Sequence, residues 1–434
     1  MSGAAAGGFE DRLRRQWEVA LPNRHNAWVH LADFDELLRG VRGSDERARQ
    51  GRRRSPLDGH ALAVKDNIDV AGMPTGAGLG GAPHRAESHA DVIERAQRAG
   101  MLIAAKLNMD EAAIGATGNN PHWGRCLNPL AADRQLTPGG SSGGSAVWVA
   151  SGCGEFALGT DTMGSVRIPA AYCGICGLKP SGGWLSLRGV VPVSAQLDSV
   201  GLMARRPVPL AGLLEALSGR AAPAAGSDMG DIRLGWVTGL SFAAGDVQKR
   251  MDGVREVIAG AGRFELSEVS LADLDLNACR RAGLVECLRE MLRTHRDHLD
   301  GDSGALSSGL RKMLAWAAGQ PPERFAAARQ RLRDCREAVD RLFEAGSIHG
   351  LLLPTTPQGA FEFTCEAPDD QANFTAPFSI SGHPAISIPL PAAVPDPLRP
   401  GLQIVGRRDR DFELLRLAER IDALLNPADQ GEAA

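Results

Sequence analysis

The sequence predicts an α/β layered fold. Short apolar runs bounded by turn residues occur toward both ends of the chain, and stretches with helical periodicity alternate with them. The 52 glycines and 26 prolines among 434 residues supply the tight turns that this alternation requires. Residues 9–50 read as helical and fairly polar, with Leu13, Trp17, Leu31, Phe34, Leu37 and Leu38 on partial stripes, so 1–55 is expected to form an N-terminal helical layer. Pro56-Leu57-Asp58-Gly59 is a turn signal, after which Ala61–Val64 reads as a short buried strand ending at Lys65. A helix is expected over 90–99, a strand over Met101–Ala105, and then a glycine-rich stretch with short apolar runs. The chain changes character over 207–346, with longer helices, more arginine and fewer glycines. In that stretch Phe325, Ala328, Leu332, Cys335, Val339 and Leu342 alternate spacings of three and four, the stripe of an amphipathic helix. Strands follow at Ile348–Leu353, Ala385–Leu390 and Leu402–Val405, with a closing helix over 411–425.

Bulk properties exclude several classes of function. A net charge of −4 gives no electrostatic footprint for nucleic acid, and the Arg52-Arg53-Arg54 cluster reads as solvated linker. No uninterrupted apolar run approaches the roughly 18 residues of a membrane span. The start of the chain lacks the basic-then-apolar pattern of a signal peptide, so a soluble, cytoplasmic protein is expected. Eight scattered cysteines do not make a disulfide scaffold, and Cys173-Gly174-Ile175-Cys176 has no second pair with which to build a zinc site. His122, His295, His298 and His383 are not arranged as metal ligands. Neither a metal nor a cofactor is expected.

The chemistry concentrates in three places. Lys65 ends an apolar run in Ala63-Val64-Lys65-Asp66-Asn67, where burial would lower its pKa toward neutrality. Ser141 lies in Thr137-Pro138-Gly139-Gly140-Ser141-Ser142-Gly143-Gly144, and Ser165 in Gly159-Thr160-Asp161-Thr162-Met163-Gly164-Ser165. A serine hydroxyl becomes a useful nucleophile only when a base takes its proton, and a neutral lysine is such a base. Two glycine-rich look-alikes fail on context. Gly140 to Gly144 fits the nucleophile elbow of α/β-hydrolases, but Gln135–Gly139 is a poor strand. Gly76 to Gly81 fits a dinucleotide fingerprint, but Met73-Pro74-Thr75 precedes it.

These motifs closely resemble the amidase signature family. Arg167 and Pro169, the loop Asn119 to Pro129, and the segments Phe374–Pro377, Gly382–Ala385 and Gly401–Gly406 extend the match over about 56–205 and 350–425. The resemblance implies a mixed central β-sheet sandwiched between α-helices. It also implies a core of 56–206 with 347–427; the mostly helical 207–346, where no motif matches, is expected to pack on that core and carry substrate specificity. In this family Ser165 would be the nucleophile, Ser141 would follow a non-proline cis peptide bond, and Lys65 would be the base. Thr162, Met163 and Gly164, with Ser165 itself, would offer N–H groups to the oxyanion. Arg167 would brace the loop through an acid, Asp161 or Asp198, and His122 and Trp123 would line the entrance. Position 163 departs from the family's usual glycine, and a methionine there would reshape the acyl pocket. The expected activity is hydrolysis of a small or medium carboxamide or urea-like amide through an acyl-enzyme, releasing ammonia or an amine. Two alternatives remain: an amidotransferase-like subunit working with partners, and a silent scaffold. A homodimer is the ordinary expectation.

Overall fold

An 11-stranded mixed β-sheet organises the computed structural model, which describes residues 8–223, 232–240, 245–300, 304–346, 348–391 and 400–427. The first residues of the expected 1–55 layer and the ends of the chain thus lie outside the described residues. In chain order the strands are β1 (Trp28–Leu31), β2 (Ala61–Lys65), β3 (Leu102–Leu107), β4 (Phe156–Asp161), β5 (Cys176–Lys179), β6 (Ser199–Ala204), β7 (Ile232–Thr238), β8 (Phe264–Ser270), β9 (Gly350–Pro354), β10 (Ala385–Pro389) and β11 (Gly401–Gly406). Their order across the sheet is β1-β3-β2-β4-β6-β5-β10-β11-β9-β7-β8. The pairs β2–β3, β2–β4, β7–β8 and β7–β9 are parallel and the other six antiparallel.

Most central strands are buried at every residue, as expected where helices cover both faces of a sheet. Helix α3 (Asp91–Arg98) links the parallel pair β2 and β3, bringing Val92, Ile93 and Ala96 onto one core. On the same side α6 (Val208–Ser218), α7 (Gly245–Gly260) and α13 (Asp411–Leu425) fill the layer. A second core gathers α8 (Leu276–Thr294), α10 (Ser308–Ala318) and α11 (Pro322–Gly346). The stripe Ala328, Leu332, Cys335 and Val339 of α11 is buried in it. A third lies between α1 (Phe9–Ala20), α2 (Phe34–Arg49) and α4 (Gly143–Ala150), with Trp148 at 1% exposure, and the short helices α5 (Arg167–Cys173), α9 (Arg296–Asp300) and α12 (Ala376–Ile380) complete the numbering. No helix among the described residues is long and apolar enough to cross a membrane.

One local reading needs correction. Residues 9–50 are not helical throughout, because Trp28–Leu31 pairs with Leu107 to Ala105 at the sheet edge. Such a four-residue strand is too short for a period-2 pattern, and only its β-propensity marks it. The mostly helical stretch 207–346 also supplies β7 and β8 to the sheet. In β7 the buried Ile232 and Leu234 flank the exposed Arg233, an alternation that was present in the sequence. Gln135–Gly139 forms no strand beyond an isolated bridge from Leu136 to Glu362, and Pro74–Thr75 pairs only with His84–Arg85.

Candidate active site

Strand β2 delivers Lys65 fully buried at its C-terminal end, where Nζ lies 2.8 Å from both Ser141 Oγ and Thr160 Oγ1. The carbonyl of Thr160 is at 3.5 Å. Asn67 Nδ2 donates to the same Thr160 hydroxyl at 3.2 Å, fixing it from the other side. Burial pulls Lys65 from the usual lysine range down to about 7, against the opposing pull of Asp110, Asp198 and Asp161. Those three carboxylates respond differently to the same interior. Burial raises Asp110 and Asp198 to about 6, despite backbone N–H groups that favour their ionised forms. Burial would raise Asp161 too, but the Arg167 guanidinium holds it down to about 2.

Ser141 sits in the turn that leads into α4, and the Gly140–Ser141 peptide bond is cis, as the family resemblance implies. Gly140 cannot be replaced there, because a Cβ would lie 2.5 Å from Asp110 Oδ1. Asp110 in turn accepts from the N–H groups of Thr117 and Gly118, at 3.0 and 2.7 Å. Ser142 joins the two serine-bearing segments: its N–H donates to Ser165 O at 3.1 Å, and its hydroxyl donates to Thr160 O at 3.2 Å.

Ser165 follows β4 in a turn and is half-buried; its hydroxyl makes no hydrogen bond among the described residues. The turn is shaped by Asp161, which accepts from Gly164 N at 2.7 Å and Val166 N at 3.2 Å. Gly164 has φ 138°, and a Cβ on it would strike Thr375 Oγ1 at 2.2 Å, so only glycine fits. The same Thr375 hydroxyl donates to Met163 O at 2.6 Å. Arg167 is fully buried and makes a two-pronged contact with Asp161 at 3.0 and 2.9 Å. Its remaining donors reach Thr375 O, Gln403 Oε1 and Ser379 Oγ at 3.0, 2.7 and 2.6 Å. One guanidinium thereby fastens the Ser165 turn to the C-terminal part of the core.

Several sequence expectations change here. Asp198 does not brace Arg167; it accepts from the Thr162 hydroxyl at 2.6 Å and from the N–H groups of Val193 and Ser194. The N–H of Gly164 is committed to Asp161, which removes it from the expected oxyanion donors and leaves Thr162, Met163 and Ser165. His122 and Trp123 belong to the small hairpin of Asn119–Asn120 and Gly124–Arg125. Their side chains bond Glu111 Oε1 and Leu79 O, both at 3.0 Å, not the serines or Lys65. Cys173 and Cys176 are buried in the core, where burial raises both thiols. Sequence reasoning missed Thr160, Asn67, Asp110 and Thr375. It also missed Gly283 of α8, where a Cβ would lie 2.6 Å from Met163 Sδ. The missing side chain on that helix makes room for the methionine.

The sequence pattern that defines the Amidase family matches residues 13–415. This chain belongs to the amidase family. It is 33% identical over 445 residues to a glutamyl-tRNA(Gln) amidotransferase subunit of Chloroflexus aurantiacus, covering 92% of this chain and 89% of that one. Among solved structures it is similar to one described as an amidase, at 31% identity and a TM-score of 0.87, with 97% of each chain covered. It is also similar to 6-aminohexanoate cyclic dimer hydrolase in complex with substrate, at 25% identity and TM-score 0.81, over 98% of this amidase-family chain and 95% of that one.

Proposed function

We propose that this amidase-family enzyme hydrolyses a carbon–nitrogen amide bond, with Ser165 as nucleophile and Ser141 and Lys65 as its proton relay. The observation that carries this reading is a fully buried lysine placed 2.8 Å from the Ser141 hydroxyl, where burial pulls its pKa down to about 7. Above that pH the amine is neutral. Its N–H groups then serve Thr160, and its lone pair accepts the Ser141 proton. When substrate docks, Ser165 Oγ turns onto Ser141 and attacks the carbonyl carbon. The Ser165 proton passes to Ser141 Oγ as the Ser141 proton passes to Lys65 Nζ. The carbonyl electron pair becomes an oxyanion facing the N–H groups of Thr162, Met163 and Ser165. Each such donor is worth about 2.7–4 kcal/mol in other enzymes. Collapse breaks the C–N bond while the relay runs backward to protonate the departing nitrogen. Water then attacks the acyl-enzyme, gives its proton to the same relay and releases the acid.

Release of ammonia from a panel of primary amides, ureas and amino-acid amides tests this reading. Release by the wild type that disappears in Ser165→Ala is expected; equal rates in both would remove Ser165 from the chemistry. A second reading is favoured by the similarity to amidotransferase subunits. The same relay would liberate ammonia from glutamine for a partner, and glutamine hydrolysis that appears only on addition of companion subunits would mark it.

Met163 is expected to limit the acyl group. Its thioether fills the space over Gly283 beside the nucleophile turn. Met163→Ala should raise kcat/KM for hexanamide relative to acetamide by about tenfold or more, the scale on which a pocket reads one to several methylenes. An unchanged ratio would show that the methionine does not bound the acyl pocket.

A further inference from the structure

One face of helix α8 lies along the nucleophile turn. Gly283 on that face packs on Met163, Cys287 one turn on is fully buried, and Glu290 follows after three more residues. Seven residues make two turns, so Gly283 and Glu290 share a face about 10.5 Å apart along the axis. Glu290 reaches the loop 191–198, which leads into β6. Its Oε1 accepts from the Ser194 hydroxyl and its Oε2 from the N–H of Ala195, both at 2.8 Å. Ser194 is fully buried, and Val193 and Leu197 of the loop share a core with Cys287 and Met291 of α8.

The loop ends on the nucleophile turn. Asp198 Oδ2 accepts from the N–H groups of Val193 and Ser194 at 2.9 and 3.1 Å, and Oδ1 accepts from the Thr162 hydroxyl at 2.6 Å. Ser194 therefore stands between two carboxylates, its hydroxyl held by Glu290 and its N–H by Asp198. Both ends of the loop are anchored elsewhere. The Val191 N–H donates to Asn67 O at 2.9 Å, Asn67 Nδ2 returns a bond to Val191 O at 3.3 Å, and Ser199 pairs with Asp161 across β4 and β6. Between those anchors Glu290 sets where Ser194 stands, and hence where Asp198 holds Thr162. A carboxylate suits this task, because both oxygens accept at once and a charged acceptor binds about twice as strongly as a neutral one.

We propose that Glu290 is a positioning residue for catalysis: acting through Ser194 and Asp198, it aims the backbone N–H of Thr162 at the oxyanion, while Gly283 of the same helix seats Met163. This role rests on the hydrolase reading of Ser165. Helix α8, in a segment without a motif, thereby aligns two of the three oxyanion donors. Alignment counts, because a misplacement of about 1 Å at a reacting centre can cost about 100-fold in rate.

The test is a double-mutant cycle on the full-length protein, read by the rate at which an alkyl fluorophosphonate labels Ser165. The phosphoryl oxygen takes the place of the oxyanion during attack, so the probe reports donor alignment without a known substrate. At about pH 8, Glu290→Ala should slow labelling about tenfold and Thr162→Val about 10- to 100-fold. The double variant should be no slower than Thr162→Val alone, because Glu290 acts through that residue. Glu290→Gln, which keeps one acceptor oxygen, and Thr162→Ser, which keeps the hydroxyl, should each recover much of the rate. The pH midpoint of labelling should stay at the wild-type value, set by Lys65 at about 7. A cap that serves stability alone would lower the unfolding temperature of Glu290→Ala and leave its labelling rate unchanged, which overturns the proposal. So does a fully multiplicative loss in the double variant, or a midpoint that moves with Glu290, since its charge would then act on Lys65. Absence of Ser165 labelling in the wild type would remove the hydrolase reading and this role with it; normal labelling that Glu290→Ala leaves intact removes this role alone.

Discussion

Replacing Ser165 by alanine is expected to lower kcat by about five to six orders of magnitude, the scale on which serine hydrolases lose rate when the nucleophile is deleted. The fold should survive the change. Ser165 is half-buried, and its hydroxyl holds no hydrogen bond among the described residues, whereas its backbone carbonyl, which accepts from Ser142, is retained. Thermal unfolding at the wild-type temperature, alongside the rate loss, separates chemistry from stability. Lys65→Met should approach the same loss by a different route. It removes the relay's terminal base while keeping an unbranched apolar side chain in a fully buried position. A Lys65→Met protein retaining wild-type turnover would place the base elsewhere.

Arg167→Met is expected to destabilise the protein by about 3–5 kcal/mol, because it strands the Asp161 carboxylate in the interior without its guanidinium. Both partners are at 0% exposure, so water cannot replace the lost contacts. The loss also reaches beyond the pair, since Arg167 also ties the Ser165 turn to Thr375, Ser379 and Gln403. Urea unfolding reads the effect. The double variant with Asp161→Asn should recover part of it, because no charge is then left uncompensated. A cost below about 1 kcal/mol for Arg167→Met would place the pair among weak surface-type bridges and contradict this account of the turn.

The parts of the site that were legible in the sequence are those encoded locally. Lys65, Ser141 and Ser165 each lie in a run whose glycines and turn residues mark the backbone shape around them, and the structure brings Lys65 and Ser141 into contact. The partner of Arg167 was only half legible. Asp161 lies six residues away on the same turn, but excluding Asp198 required knowing that Ser199 pairs with Asp161 across β4 and β6, which leaves Asp198 under Thr162. Thr160 escaped notice because β4 is buried at every position, and no alternation singles out the side chain that faces the site. The occupation of the Gly164 N–H by Asp161 is a matter of turn geometry, which residue identity does not reveal. Gly283 sits in a helix without a motif; its part is defined only by what α8 covers. Trp28–Leu31 was missed for a related reason, because a four-residue edge strand is decided by the strand beside it.

Activation of Ser165 by a neutral Lys65 through Ser141 can be tested without knowing the substrate. The measurement is the rate of covalent labelling by a fluorophosphonate as a function of pH, with the labelled residue identified by peptide mass. Lys65 is depressed from the ordinary lysine range to about 7, so it is protonated and inactive below that value and free to accept a proton above it. Labelling at Ser165 should fall about tenfold per pH unit below about 7, level off above it, and be lost in Lys65→Met. Labelling at another residue, or a Ser165 rate independent of pH down to about 5, would contradict it.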